Sequence, residues 1–257
     1  MSRPHWTEEA GLRARLPAFR RKLDKARSLI DRQLTKGHGG YVSWSGGKDS
    51  TVCALIAHDV HPGVPLVWVD GGHDYPGHPQ WMRDLATVRG WGLDIIPTDP
   101  PILDLLAQSG VWDHNAPDRR ELAAQFHETL NLAPARIARA RHGNVQIIGL
   151  RAQESQRRRE SLRTWGIVRP WAGGTGVAPI GWWSDDDVWA AHAHYDCPRS
   201  PIYDQLEALG CEPWRQRVGG MIDGDALASG RLMWLRRGWP EAWAELEARF
   251  PRIKEFA

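Results

Sequence analysis

The chemistry in this chain is concentrated in one run, Ser45-Gly46-Gly47-Lys48-Asp49-Ser50. Two residues without Cβ atoms let the backbone take positive φ and come close to an anion. A lysine adds a compact positive charge, and the serine hydroxyls can donate hydrogen bonds. If a helix starts here, its first amides lack helical acceptors and sit at the positive end of the dipole. These residue types in this order suit the gripping of a chain of phosphates. The run is not a Walker A loop, which needs Gly, four residues, then Gly-Lys-Ser/Thr. Of the 33 basic residues only Lys22, Lys25, Lys36, Lys48 and Lys254 are lysine, so a scarce residue is used at the turn.

Positioning such a turn needs a strand before it and a helix after it. Tyr41–Trp44, which includes Ser43, has β-type residues, and Val52, Leu55, Ile56 and Val60 give an apolar helical stripe over 50–60. The alternation continues. Leu66–Val69 predicts a strand, 78–89 a helix, Leu93–Ile96 a strand, and Pro100-Pro101 the start of a helix. A longer helical stretch from about 118 to 141, with a break at Pro134, leads to an apolar strand over Val145–Leu150. Strands separated by helices predict an α/β fold, a mainly parallel sheet with helices on both faces. Ligands in such sheets lie outside the carboxyl ends of the strands, so Ser45–Ser50, Asp70–Tyr75 and Arg151–Arg158 are expected to converge.

Helical additions flank this core. Residues 7–35 read as helix interrupted near Pro17, with Phe19, Leu23, Ala26, Ile30 and Leu34 as its apolar stripe and Gly37 as its stop. Gly230–Trp234 and Pro240–Phe250 read as closing helices. The expected segments are 1–38 (helical), 39–215 (nucleotide-binding α/β) and 216–257 (helical).

Composition narrows the function classes. With 42% hydrophobic and 25% charged residues the chain is of ordinary globular type, and a formal charge of +2 gives no strong overall field. Nucleic-acid binding would have to come from a local patch. From Arg151 to Arg169 there are six arginines (151, 157, 158, 159, 163 and 169) against Glu154 and Glu160. Cys53, Cys197 and Cys211 are scattered and odd in number, which predicts no disulfide framework and a reducing, cytoplasmic setting. The charged first fifteen residues are unlike a signal peptide, and no apolar run reaches the roughly 18–20 residues of a membrane span. A homo-oligomer is compatible with the sequence, but no interface signature is legible.

Ser45–Ser50 resembles the pyrophosphate loop (PP-loop) of the N-type ATP pyrophosphatases, which split a nucleotide between its α and β phosphates. Val69-Asp70-Gly71-Gly72-His73-Asp74-Tyr75-Pro76 is similar to the Asp-Thr-Gly-x-x-Phe-Pro stretch of the phosphoadenylylsulfate (PAPS) reductase-like branch, with Gly71 for Thr and Tyr75 for Phe. Gly149-Leu150-Arg151-Ala152-Gln153-Glu154-Ser155-Gln156-Arg157-Arg158 matches all five fixed positions of its Gly-x-Arg-x-x-Glu-Ser-x-x-Arg stretch. Pro179–Trp189 resembles its Pro-Ile-x-x-Trp-x-x-x-Asp-Val-Trp segment, and Ser200-Pro201-Ile202-Tyr203-Asp204 its Asn-Pro-Leu-Tyr-Asp loop. In Pro179–Trp189, Ser184 is expected to cap a helix with Asp185, Asp186 and Asp187 in its first turn, a structural role.

The resemblance covers roughly residues 40–212 and implies an adenine nucleotide alpha hydrolase-like fold. It also implies a nucleotide site of Ser43, Ser45, Gly46, Gly47, Lys48, Asp49, Ser50, Asp70, Gly71, Gly149 and Arg151. Lys48, Asp49, Asp70 and Arg151 would be catalytic, Asp49 and Asp70 would hold Mg²⁺, and Glu154, Arg157 and Arg158 would meet a substrate anion.

The chain departs from the family at its thiols. PAPS reductases use a cysteine in a Glu-Cys-Gly-x-His motif near the C-terminus, and no cysteine follows Cys211 here. Related adenylylsulfate (APS) reductases and DNA phosphorothioation enzymes bind a four-iron cluster through four cysteines. Cys211 keeps one such position, while Trp214 stands where its partner should be. No iron–sulfur cluster is therefore expected. With ATP and Mg²⁺ as cofactors, the expected activity is an ATP pyrophosphatase that adenylates an acceptor, for sulfur transfer or nucleic-acid modification. A nucleic acid or protein would dock on the Arg151–Arg169 patch. Two alternatives stay open: a sulfonucleotide (PAPS/APS) reductase whose thiol is Cys197 or Cys211, and a non-catalytic nucleotide-binding subunit of a larger complex.

Overall fold

The computed structural model describes residues 7–110, 119–222 and 231–257. The start of the helical stretch at 118 and Gly230 lie outside the described residues. Six strands form one sheet in the order β3-β2-β1-β4-β6-β5. They are β1 (Gly40–Ser43), β2 (Leu66–Asp70), β3 (Leu93–Pro97), β4 (Val145–Ile147), β5 (Val168–Trp171) and β6 (Gly174–Val177). β1 runs parallel to both neighbours, with Val42 opposite Leu66 on one side and Ile147 on the other. β4 and β6 are also parallel, and β5 runs antiparallel to β6. The fold is the expected mostly parallel α/β arrangement. Strand order reverses at β1, since β2 lies to one side and β4 to the other. A ligand in such a sheet sits at that reversal, beyond the carboxyl ends.

The β5–β6 hairpin was not legible in the sequence. Its turn, Ala172-Gly173, has φ of 47° and 80°, the twist a two-residue hairpin needs but with alanine where Asn or Asp is usual. β4 is shorter than the 145–150 run. Ile148 still donates to Val177 O at 2.9 Å, and the chain then leaves the ladder at Gly149.

The chain divides into two compact units. The first comprises 1–68, 85–94 and 135–199, and the second 69–84, 95–134 and 200–257. In the first unit α1 (Thr7–Ala14) and α2 (Pro17–Lys36) break at Pro17 as expected, and Phe19, Leu23, Ala26, Ile30 and Leu34 are buried. α3 (Lys48–Val60) is buried around its whole circumference from Ser50 to Ala57, as suits a helix covered on all sides. α7 (Ala133–His142), α8 (Gln156–Trp165) and α9 (Asp185–His194) complete this unit.

The second unit holds α5 (Ile102–Ser109), α6 (Arg119–His127), α10 (Pro201–Ala208), α11 (Arg231–Gly238) and α12 (Pro240–Arg249). It has its own apolar core, including Tyr75, Leu106, Phe126, Tyr203, Leu235 and Trp243. α4 (His78–Arg89) is divided between the units. The break anticipated at Pro134 is a π-helical turn, Glu128–Leu132, joining α6 to α7. A proline has no amide for the i→i−4 bond, and the wider turn absorbs that loss. Among the described residues no helix is long and apolar enough to cross a membrane.

Candidate functional site

The loop from β1 to α3 is closed from within. Trp44, 1% exposed, donates its indole N–H to Thr51 Oγ1 at 3.0 Å, tying the strand end to the first helical turn. Ser50 Oγ accepts from Ser45 N at 3.2 Å and donates to Gly47 O at 3.1 Å, and the Ser45 hydroxyl lies 3.2 Å from it. Gly46 supplies the turn at φ 68°. The first α3 hydrogen bond runs from Thr51 N to Gly47 O, so the amides of Lys48, Asp49 and Ser50 precede it and lack helical acceptors. No side chain caps this helix. Such a start fits a phosphate chain on its first amides, its dipole and its lysine.

The end of β4 presses on the same turn. A Cβ on Gly149 would lie 2.5 Å from Ser50 N and 2.7 Å from Asp49 C, so only glycine lets the strands and α3 meet here. Two residues on, Arg151 enters the interior and is 1% exposed. It donates through Nε to Asp49 Oδ1 at 2.6 Å, through Nη2 to Asp185 Oδ1 at 2.7 Å and through Nη1 to Trp183 O at 3.2 Å. Lys48 Nζ donates to Asp49 Oδ2 at 2.9 Å and lies 3.3 Å from Asp185 Oδ1. Lys48, Asp49, Arg151 and Asp185 thus form a ring of alternating charge from three chain segments.

Burial alone would lower the Arg151 pKa, but Asp49 and Asp185 outweigh it and raise it. Burial would likewise raise the Asp185 carboxyl, and the charges of Lys48 and Arg151 bring it below its ordinary range. His192 on α9 lies with Nε2 3.0 Å from Lys48 O and Nδ1 3.3 Å from Cys197 O. Its burial pushes its pKa down, holding it neutral, and it fixes the carbonyl of the first α3 residue.

The other expected residues are distributed as follows. Ser43 ends β1 and is half-buried. Glu154 accepts from Arg151 N at 3.0 Å and pairs with Arg158, one turn on. Arg157 is exposed. The six arginines do not make one surface. Arg151 and Arg169 are buried, the latter donating to Ser161 Oγ at 2.6 Å, while Arg157, Arg159 and Arg163 are exposed on α8. Charge spacing along a chain does not distinguish a solvated guanidinium from one consumed inside. In the second unit Asp70 Oδ1 accepts from Gly72 N at 2.9 Å. A Cβ on Gly71 would meet the His73 ring at 2.4 Å, which explains why glycine stands where a threonine was expected: the imidazole fills that space.

Sequence reasoning missed Asp185, Gln153 and His192. Asp185 had been read only as part of an acidic first turn. Asp187 does fill that structural role. It forms the capping box with Ser184 and meets Arg13 at 3.1 Å and Lys22 at 2.5 Å.

Residues 40–217 match the sequence model of the phosphoadenosine phosphosulfate reductase domain. The chain belongs to that family. Among curated proteins the chain is similar to the adenosine 5'-phosphosulfate reductase of Allochromatium vinosum, 29% identical over 92 residues. That match covers 34% of this chain and spans only a third (33%) of the relative's length. The PAPS reductase of Candida auris, solved as a phosphate complex, shares the fold with a TM-score of 0.55 at 15% identity over 86% of this chain and 96% of that one. The NMN synthetase of Francisella tularensis does so with a TM-score of 0.54 at 13% identity over 86% and 94%. Among the described residues no group of three or more His, Cys, Asp or Glu could hold a metal ion unaided.

Proposed function

We propose that this protein is an ATP pyrophosphatase of the PAPS reductase family that transfers AMP to an acceptor and releases pyrophosphate. The start of α3 carries this assignment. Its uncapped amides, the Gly46 turn and Lys48 fit a polyphosphate, and Asp49 holds the Lys48 ammonium on one oxygen and Arg151 on the other. An acceptor oxygen would attack the α-phosphorus, and the α,β-bridging bond would break toward the loop. Lys48 and the loop amides would stabilise the charge on the leaving pyrophosphate, work that is mostly positioning and electrostatics. Asp49 and Arg151 orient these groups.

A Mg²⁺ ion, when bound with the phosphates, neutralises part of their charge, and it commonly needs only one or two protein carboxylates. Asp49 spends both oxygens on cations. Asp70, the other carboxylate that the resemblance implies for the metal, uses Oδ1 on Gly72 N.

The acceptor would approach over α8. Arg157, Arg159 and Arg163 are exposed there with Trp165, which is 64% exposed. Exposed guanidinium groups and an exposed aromatic ring on one helix suit a single-stranded nucleic acid, and a protein acceptor is the other outcome of the test. We also propose that no iron–sulfur cluster forms, since four thiolates are required and three cysteines are present. Stoichiometric iron with charge-transfer absorption would overturn this.

The test uses protein, Mg²⁺ and α-labelled ATP with candidate acceptors. AMP and pyrophosphate are expected, and Lys48→Ala should lower their rate by about 100-fold or more. Formation of ADP and phosphate would refute the mechanism.

A sulfonucleotide reductase is the second reading, favoured by family membership and the adenosine 5'-phosphosulfate reductase relative. It needs a reactive thiolate. All three cysteines are buried, and burial pushes Cys197 up to about 11, Cys211 up, and Cys53 well up. A thioredoxin-dependent activity lost in Cys197→Ser or Cys211→Ser would establish it instead.

A further inference from the structure

We propose that Asp185 is a built-in stand-in for a ligand phosphate: its carboxylate occupies the Lys48 ammonium until a polyphosphate displaces it, and so it sets which anions the loop accepts. This rests on the phosphate-binding reading of the loop and extends it to selectivity.

The four charges of the ring are not equivalent. Arg151 and Asp49 are 1% and 14% exposed at their side chains and meet at 2.6 Å, the tightest side of the ring. Lys48 is 11% exposed and Asp185 43%, and their 3.3 Å separation is the longest side. It is the ring's longest contact and carries its most exposed member, so this is the side that opens first. Asp185 Oδ1 meets both Lys48 and Arg151, the arrangement a phosphate oxygen would adopt between an ammonium and a guanidinium.

Opening requires only rotation of one side chain. The helix carrying Asp185 is fixed independently, because Asp187 is bound in the capping box and to Arg13 and Lys22. The Asp185 backbone amide is held as well, donating to Gln153 Oε1 at 2.9 Å. After displacement Lys48 still has Asp49, and Arg151 keeps Asp49 and Trp183 O, so no buried charge is stranded. A singly charged anion has little to offer Lys48 beyond what Asp185 already gives. A pyrophosphate group brings several charges and also reaches the amides of α3. The carboxylate would thus discriminate by charge number rather than by shape.

Titration calorimetry with inorganic pyrophosphate, without added metal, tests this on the full chain. Asp185→Asn keeps an acceptor for Arg151 but removes the charge facing Lys48. Its affinity for pyrophosphate is expected to rise about threefold to tenfold, and its preference over inorganic phosphate to shrink. Asp185→Ser should shift affinity in the same direction. Asp186→Asn is the control for net charge. Asp186 is 70% exposed at its side chain and faces Arg13 at 3.5 Å, so its affinity should match the parent protein. Equal or weaker binding by both Asp185 variants would overturn the proposal. A parallel titration with magnesium pyrophosphate in which only that form loses affinity would also overturn it and give Asp185 to the metal. Failure of the parent protein to bind pyrophosphate at all would instead remove the phosphate-loop reading itself.

Discussion

Two strand-end regions of this molecule carry the same residue types and use them differently. After β1, β4 and β6, Asp49 and Asp185 face Lys48 and Arg151, and each carboxylate meets two cations. After β2, in the other unit, the acids serve the backbone: Asp70 accepts from Gly72 N, and Asp74 from Gly220 N at 2.8 Å. A carboxylate beside buried cations is part of an electrostatic device. One that caps amides keeps a loop in shape. Acidic residues at the ligand edge are therefore not equivalent evidence for catalysis.

The comparison can be broken most severely at Arg151. Replacement by Met leaves Asp49 and Asp185 facing each other beside one lysine. A loss of about 3–5 kcal/mol in unfolding free energy is expected, measured by urea denaturation. A loss below about 1 kcal/mol would mean the ring is not buried in solution. Gly149→Ala comes next. It puts a methyl group against the α3 backbone, which cannot yield as a side chain would, and should cost about 1–3 kcal/mol with weaker pyrophosphate binding.

Acid should separate the two regions further. The Asp185 and Asp187 carboxyls are each pushed up by burial but brought below their ordinary values overall, by Lys48 and Arg151 and by hydrogen bonds from Lys22, Ser184 and Arg13 respectively. Their contribution is complete above the unfolded carboxyl pKa of about 4 and is lost as pH falls through the lower folded values. Protection of the α9 amides, measured relative to their intrinsic exchange rates, should fall below about pH 4 and stay flat from pH 5 to 8. The smallest effect is expected at Asp74. Asp74→Ala removes one bond to Gly220 N and should cost about 1 kcal/mol, with pyrophosphate affinity unchanged. A collapse of affinity there would erase the distinction between the two regions.

Much of the fold was legible because its signals are local. The bounds of α2 at Pro17 and Gly37, the Ser184 cap, the start of α5 after Pro101 and the β1–turn–α3 unit follow from proline, glycine, serine and apolar spacing within a few residues. The β5–β6 hairpin was missed because its turn is Ala-Gly and its strands are only four residues each. The Ser45–Ser50 turn was likewise read from contiguous residues. The arginine run misled, since Arg151 and Arg169 are drawn inside while their neighbours on α8 face water.

By itself the sequence settled where the chain turns, which helices it caps and which short run presents amides and an ammonium group, since those depend on neighbours along the backbone. Only the tertiary structure decided what each charge faces. Asp49 and Arg151 stand 102 residues apart and Arg151 and Asp185 are 34 apart, so their meeting depends on sheet order and not on any local pattern. Desolvation then makes that meeting strong, because opposite charges removed from water attract most where no solvent screens them.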